Sequence, residues 1–176
     1  DPTITVRAAW QIEADVEHFD AEDTTLIFVG DYIDRGPNSA GVLRFLHEMH
    51  KVNREHVICL RGNHEEMLLD FLADPLGPAK DWLRHGGRET MASFGIDVPE
   101  DIKTLKQREL LDLAGALRRA MGGLMLSWLK GMPVHWQTGN IWIVHAGVDP
   151  FLPLEEQDRR TMLWGHPDFN KVERSD

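Results

Sequence analysis

The sequence predicts an α/β fold, a sheet flanked by helices, in a single domain over residues 1–176. Two observations carry this reading. Three short apolar runs, Leu26-Ile27-Phe28-Val29, His56-Val57-Ile58-Cys59-Leu60 and Ile141-Trp142-Ile143-Val144, are rich in β-branched and aromatic residues and read as buried strands. The stretches between them space their apolar residues as helices do, and a strand–helix–strand succession from residue 26 to 60 predicts a right-handed crossover and a parallel pair.

Taken in order, Ile4-Thr5-Val6 opens a strand but runs directly into Arg7-Ala8-Ala9-Trp10, which reads as helix. The run ending at Val29 feeds Gly30-Asp31-Tyr32-Ile33-Asp34-Arg35-Gly36, so two carboxylates and a guanidinium crowd a loop just past a strand end. Gathering charge there is costly unless it is neutralised. A divalent cation would balance the carboxylates and a phosphate the arginine. For the loop alone, a surface turn with a capping Asp and a solvated Arg is the alternative. Pro37 at a first turn, then Val42, Leu43, Leu46 and Met49, predict a helix with an apolar stripe. His18, His47 and His50 fall in helix-like polar settings and are expected to be solvated.

The second strand ends in Arg61-Gly62-Asn63-His64-Glu65, and Met67, Leu68, Phe71 and Leu72 continue a helix starting near Asn63-His64. That places these side chains at a helix amino end, which favours anions. After a break at Asp74-Pro75-Leu76-Gly77-Pro78, a mostly helical insertion is expected over about 75–132. Leu105, Leu110, Leu111, Leu113 and Leu117 support one helix there, and Leu124, Met125, Trp128 and Leu129 another. Gly86-Gly87, after Trp82-Leu83-Arg84-His85, implies a tight backbone passage, with His85 at the surface or as a cap. His135 alternates like a strand residue, and the third strand closes in His145-Ala146-Gly147. Three strands thus end in Asp, Asn-His and His. Strands of one sheet present their carboxyl ends at a common edge, so Asp31, Asn63 and His145 can converge. Such mixed oxygen and nitrogen donors suit manganese, iron or zinc.

Composition agrees. A net charge of −10 disfavours nonspecific nucleic-acid binding and attraction to anionic membranes. Cys59 is the only cysteine, most simply a small core residue, and no apolar stretch of about 18 residues is present to span a membrane. The expected location is cytoplasmic.

GDYIDRG, RGNHE and HAG, in this order and each after a strand, resemble the signature blocks of PPP-type serine/threonine protein phosphatases, within the dinuclear metallophosphoesterase (calcineurin-like) superfamily. The block from Trp82 to Gly87, with Thr90 and Gly95, is similar to one in the bacterial branch. The resemblance runs from about residue 26 to 148 and implies a metallophosphoesterase β-sandwich flanked by helices, with two divalent metal ions, manganese first and iron or zinc next. It implies Asp31 as the carboxylate shared by both metals, with Asn63 and His145 ligating the second. It implies His64 as the general acid oriented by Asp34, and Arg35 and Arg61 beside the phosphate oxygens. Two metals about 3.5–4 Å apart would acidify a bridging water and clamp the phosphoryl group.

Departures are equally definite. The family's G-D-x-H-G block, with an Asp and a His for the first metal, is absent, as is a later G-H-T block. His166, in Trp164-Gly165-His166-Pro167-Asp168, does not match the latter. The expectation is that a metal-binding loop is missing between Val6 and Arg7 and that a C-terminal portion follows; the alternative is a protein that truly lacks those ligands. The activity expected is phosphomonoester hydrolysis on phosphoprotein or a small phosphoester, protein phosphoserine and phosphothreonine first. Alternatives are a diadenosine polyphosphate hydrolase on the same fold and a catalytically impaired phosphate-binding relative. Relatives that cleave dinucleotides tend to replace the second loop Asp and the Glu of the asparagine block, so Asp34 and Glu65 tip the order.

Overall fold

Strand β1 (Leu26–Phe28) lies parallel to β2 (Val57–Cys59), with Leu26 opposite Val57 and Phe28 opposite Cys59, in a computed structural model that describes residues 24–172. Both strands are shorter than the apolar runs that encode them. The flanks still pair: the Leu26 amide donates to the His56 carbonyl at 2.7 Å and the Leu60 amide to the Phe28 carbonyl at 2.8 Å. The parallel pair expected from the strand–helix–strand succession is present. Cys59 is buried, and burial pushes its thiol up to about 12, which leaves it an inert core residue.

Helix α1 (Ser39–Val52) makes the crossover. Its N-cap is Asn38, whose side chain accepts from the Gly41 amide at 3.1 Å, so Pro37 precedes the cap instead of occupying the first turn. Leu43 and Leu46 are buried as expected, whereas Val42 is exposed. The expectation of solvated His47 and His50 is corrected. One helical turn apart, they face Trp128, with ring centroids 5.1 and 6.3 Å away, and the His50 ring lies 2.7 Å from the Val57 carbonyl. His18, the Val6–Arg7 junction and the first predicted strand lie outside the described residues.

Helix α2 (Asn63–Ala73) begins immediately past the second strand and buries Leu68, Phe71 and Leu72. A 3₁₀ turn (Pro78–Arg84), α3 (Gly87–Ser93), a second 3₁₀ turn (Ile102–Thr104) and the long α4 (Gln107–Gly131) follow. Gly122, at φ 77° and ψ 160°, interrupts α4 where the pattern switches from one predicted helix to the other. Leu105 precedes α4. Leu117, Met125 and Leu129 of α4 share one core with Leu43, Leu68 and Phe71, which fixes α1 and α2 against the insertion.

Strands β3 (His135–Thr138) and β4 (Ile141–Val144) form an antiparallel hairpin about a turn at Gly139, φ +54°. His135 is a strand residue, stacked on Trp142 at 4.6 Å. The expected common edge for all three strands is corrected: among the described residues β1 pairs with β2 and β4 with β3, in two separate sheets. A two-residue turn returns the chain onto its own hairpin partner, so the third motif reaches the others from outside their sheet. Helix α5 (Arg159–Trp164), capped by Asp158 on the Thr161 amide at 2.9 Å, supports it through the Ala146 amide, which donates to the Met162 carbonyl at 3.0 Å. Among the described residues, no helix is long and apolar enough to cross a membrane.

Candidate active site

The loop after β1 holds Asp31, Asp34 and Arg35 at φ 60°, 75° and 60°. Left-handed backbone costs a non-glycine residue about 1–2 kcal/mol, so contacts from elsewhere must hold the loop. Glu65 supplies most of them. Its fully buried carboxylate accepts from the backbone amides of Asp31 (2.9 Å), Tyr32 (2.7 Å) and Gly62 (2.8 Å). Burial pushes this carboxyl upward, and the three amides pull it back. Tyr32 adds a second tie, its hydroxyl accepting from the Gly30 amide at 3.0 Å and lying 2.7 Å from the Leu60 carbonyl and 2.9 Å from that of Phe28. A Cβ on Gly30 would sit 2.5 Å from the Gly62 backbone, and one on Gly62 2.4 Å from Asp31 Oδ1. Only glycine permits the first two motifs to approach so closely.

This approach sets Asp31 Oδ1 3.4 Å from the His64 amide nitrogen and 3.4 Å from His145 Nε2. His145 Nδ1 lies 2.6 Å from the Val29 carbonyl. A carbonyl only accepts, so Nδ1 carries a proton, and in the neutral ring the Nε2 lone pair faces the Asp31 carboxylate. Asn63 Oδ1 is buried without a hydrogen-bond partner among the described residues. The three motifs thus carry acceptors of mixed oxygen and nitrogen type, with Asp31 Oδ1 taking only one long hydrogen bond and Asn63 Oδ1 none, which is the donor chemistry of a divalent-cation site. No group of three His, Cys, Asp or Glu side chains among the described residues could hold a metal; the donor set carried by the three motifs is one carboxylate, one imidazole and one amide.

Asp34 is occupied differently. Its Oδ2 accepts from His64 Nδ1 at 2.6 Å and from Trp82 Nε1 at 2.8 Å, and its Oδ1 from the Thr90 hydroxyl at 2.6 Å. The Asp34 side chain is 0% exposed and that of His64 9%. The Asp34 hydrogen bond raises the His64 pKa against the opposing effect of burial. Since the carboxylate takes Nδ1–H, Nε2 is the nitrogen left to exchange a proton with a ligand.

The two arginines separate. Arg35 is exposed beside this pair. Arg61 is buried, with one terminal nitrogen on Glu66 at 2.8 Å and the other on the Leu129 and Lys130 carbonyls at 3.0 and 2.6 Å, so those donors face the end of α4. His166 Nε2 lies 3.9 Å from Asp149, and His85 Nδ1 donates to the Asp81 carbonyl at 2.8 Å on the surface. Glu65, Trp82 and Thr90 hold the site together without standing among the predicted catalytic or metal residues. Glu65 carried a usable signal, a Glu at the third helical position after a glycine cap. For Trp82 and Thr90 no local pattern names a partner 48 or 56 residues away.

The profile of the family described as Calcineurin-like phosphoesterase matches residues 8–173. Serine/threonine-protein phosphatase 1 of Salmonella typhimurium is 42% identical over 69 residues, 39% of this chain and 28% of that protein. The symmetrical bis(5'-nucleosyl)-tetraphosphatase of Pseudomonas syringae is 31% identical over 139 residues, 79% of this chain and 37% of its own length. Serine/threonine-protein phosphatase 2 of Escherichia coli is 39% identical over 88 residues, 50% of this chain and 33% of its own. The chain thus spans about a third of the length of these curated relatives. With the profile covering nearly all of it and the three motifs meeting in space, the chain belongs to the calcineurin-like phosphoesterase family.

Proposed function

We propose that the protein is a metal-dependent phosphomonoester hydrolase whose first substrates are phosphoserine and phosphothreonine in proteins. The observation that carries this is the set of acceptors the three motifs present: Asp31 Oδ1, which takes one long hydrogen bond from the His64 amide and faces His145 Nε2 at 3.4 Å, and the buried, partnerless Asn63 Oδ1. These three side chains would hold one divalent ion, and Asp31 would be shared with a second. When bound, such ions supply positive charge for the phosphoryl oxygens and lower the pKa of a ligated water. Manganese is the first choice and iron or zinc the next, because the donors are carboxylate, amide and imidazole.

The chain's own residues do the rest. Arg35, exposed and free to turn toward ligand, pairs with phosphoryl oxygens that a planar guanidinium matches. As water adds to phosphorus and the ester P–O bond breaks, His64 gives its Nε2 proton to the leaving oxygen, releasing alcohol and phosphate. Asp34 keeps the ring aimed and charged through Nδ1. Arg61 acts as a brace between α2 and α4 in this reading, since both terminal nitrogens are committed there.

A second reading, a diadenosine polyphosphate hydrolase, is favoured by the broader match to the tetraphosphatase of Pseudomonas syringae, which covers 79% of the chain. Asp34 and Glu65 place it second. Turnover of a phosphothreonine peptide and of diadenosine tetraphosphate by the full-length, manganese-loaded protein separates the two. Faster peptide turnover supports the first order and preference for the dinucleotide reverses it. Failure to bind metal or to cleave either would leave a noncatalytic phosphate-binding protein.

A further inference from the structure

We propose that Trp82 and Thr90 are positioning residues that lock the Asp34 carboxylate so that it presents one oxygen to His64, an inference that rests on the general-acid role proposed above. The Asp34 side chain is shut off from water, so protein donors alone must satisfy it. The torsion of a carboxylate about its last bond is broad, and two exchangeable oxygens would aim an imidazole poorly. Thr90 fills Oδ1 at 2.6 Å and Trp82 fills one side of Oδ2 at 2.8 Å, which leaves the other side of Oδ2 for His64 Nδ1. Thr90 also accepts from the Asp34 amide at 2.9 Å, so one hydroxyl holds both the backbone and the carboxylate of a residue at φ +75°.

The surrounding segment is built to deliver these two groups. A Cβ on Gly86 would lie 2.6 Å from the Arg35 nitrogen and 2.7 Å from Asp34 Cβ, and one on Gly87 2.6 Å from the Trp82 ring. The glycine pair is what lets the 3₁₀ turn and α3 press onto the loop, where the Gly86 carbonyl accepts from the Arg35 amide at 3.4 Å and Ser93 Oγ from that of Ala40 at 3.0 Å. Among the described residues the side-chain hydrogen bonds of Trp82 and Thr90 go to Asp34 and Ser39 and not to the metal-type acceptors or the Arg35 guanidinium, so their effect on chemistry passes through Asp34 and His64.

The test compares Trp82→Phe and Thr90→Val with Thr90→Ser, which restores the hydroxyl. Substrates are p-nitrophenyl phosphate, whose leaving group needs little protonation, and phenyl phosphate, whose leaving group needs more. In the full-length manganese-loaded protein, kcat on phenyl phosphate is expected to fall roughly ten-fold in the first two variants, a fraction of what a positioned acid contributes. On p-nitrophenyl phosphate it should change by less than about two-fold, with KM and metal content unchanged and Thr90→Ser close to the parent. An equal fall on both esters, no fall on either, or a Thr90→Ser as impaired as Thr90→Val would overturn the proposal. A readout independent of turnover is the downfield Nδ1 proton of His64 in the ¹H spectrum of the metal-free protein. It is expected in the parent and Thr90→Ser and lost to exchange in Thr90→Val. Its absence from the parent, or its persistence in Thr90→Val, overturns the positioning role. If the parent cleaves neither ester, the proposed activity fails, and this proton alone decides the positioning.

Discussion

Asp31 and Asp34 sit three residues apart in one loop, share a left-handed backbone, and are put to opposite uses. The Asp31 carboxylate is 41% exposed, receives one long hydrogen bond from the His64 amide and faces another acceptor, while that of Asp34 is fully buried and receives three donors. A carboxylate kept hungry attracts a cation. A carboxylate kept satisfied has a fixed direction and can orient a neighbour. The loop backbone alone does not produce the difference, because the φ angles are alike. It comes from which segments arrive: the β4 end at Asp31, the 3₁₀ turn and α3 at Asp34.

The sharpest way to break this contrast is Asp31→Asn, which keeps the shape and removes the charge. It should abolish metal-dependent hydrolysis and metal uptake together, read by turnover and elemental analysis. His64→Asn should separate the two. Turnover is expected to fall by about 10²-fold or more, the usual contribution of a positioned acid, while metal content stays near that of the parent. If metal content falls alike in both variants, the division of labour between the two carboxylates is wrong.

Next in size is Glu65→Gln. The substitution is nearly isosteric, yet the amide has a single carbonyl oxygen and turns an NH₂ toward backbone donors that Glu65 now accepts from. Leaving a buried donor unsatisfied costs about 1–3 kcal/mol, so denaturant unfolding should show a loss of roughly that size. The loop that carries Asp31 is the part set loose, so manganese affinity should weaken as well, measured by calorimetry. A stability loss with unchanged manganese affinity would confine Glu65 to holding the fold.

How much of this could be read from sequence follows the range of each interaction. The parallel pair, α2 starting at Asn63 and the break between two helices near Gly122 are local patterns, and all were legible. So was the meeting of Asp31 with His145, though the route was not: apolar periodicity marks β4 as a strand but cannot name its partner, which is β3. His47 and His50 looked solvated because their own helix face is polar; Trp128, about 80 residues on, covers them. The packing partners of Arg61 are equally invisible, since the α4 carbonyls that accept from it leave no trace beside it in sequence.

The smallest effect belongs to Glu66, which repeats the contrast one position along from Glu65. The two neighbours are shifted in opposite directions: burial wins at Glu65, whereas at Glu66 burial is outweighed by the hydrogen bonds from Arg159 and Arg61. Arg159 contributes two nitrogens, at 3.0 and 2.7 Å, and Arg61 one at 2.8 Å. A folded-state pKa held below the ordinary glutamate value of 4.5 means that the unfolded chain takes up the proton first as pH falls. The stabilisation is therefore complete above that value and is lost as pH drops through the folded-state pKa. With Arg159 half exposed, roughly 1 kcal/mol is a fair size for it. Glu66→Gln should lower stability by about that much at neutral pH, consistent with a partly solvated ion pair, and flatten the acid limb of the stability–pH curve. An unchanged acid limb in Glu66→Gln would mean that other carboxylates set it, and that the Arg61 brace depends on the α4 carbonyls alone.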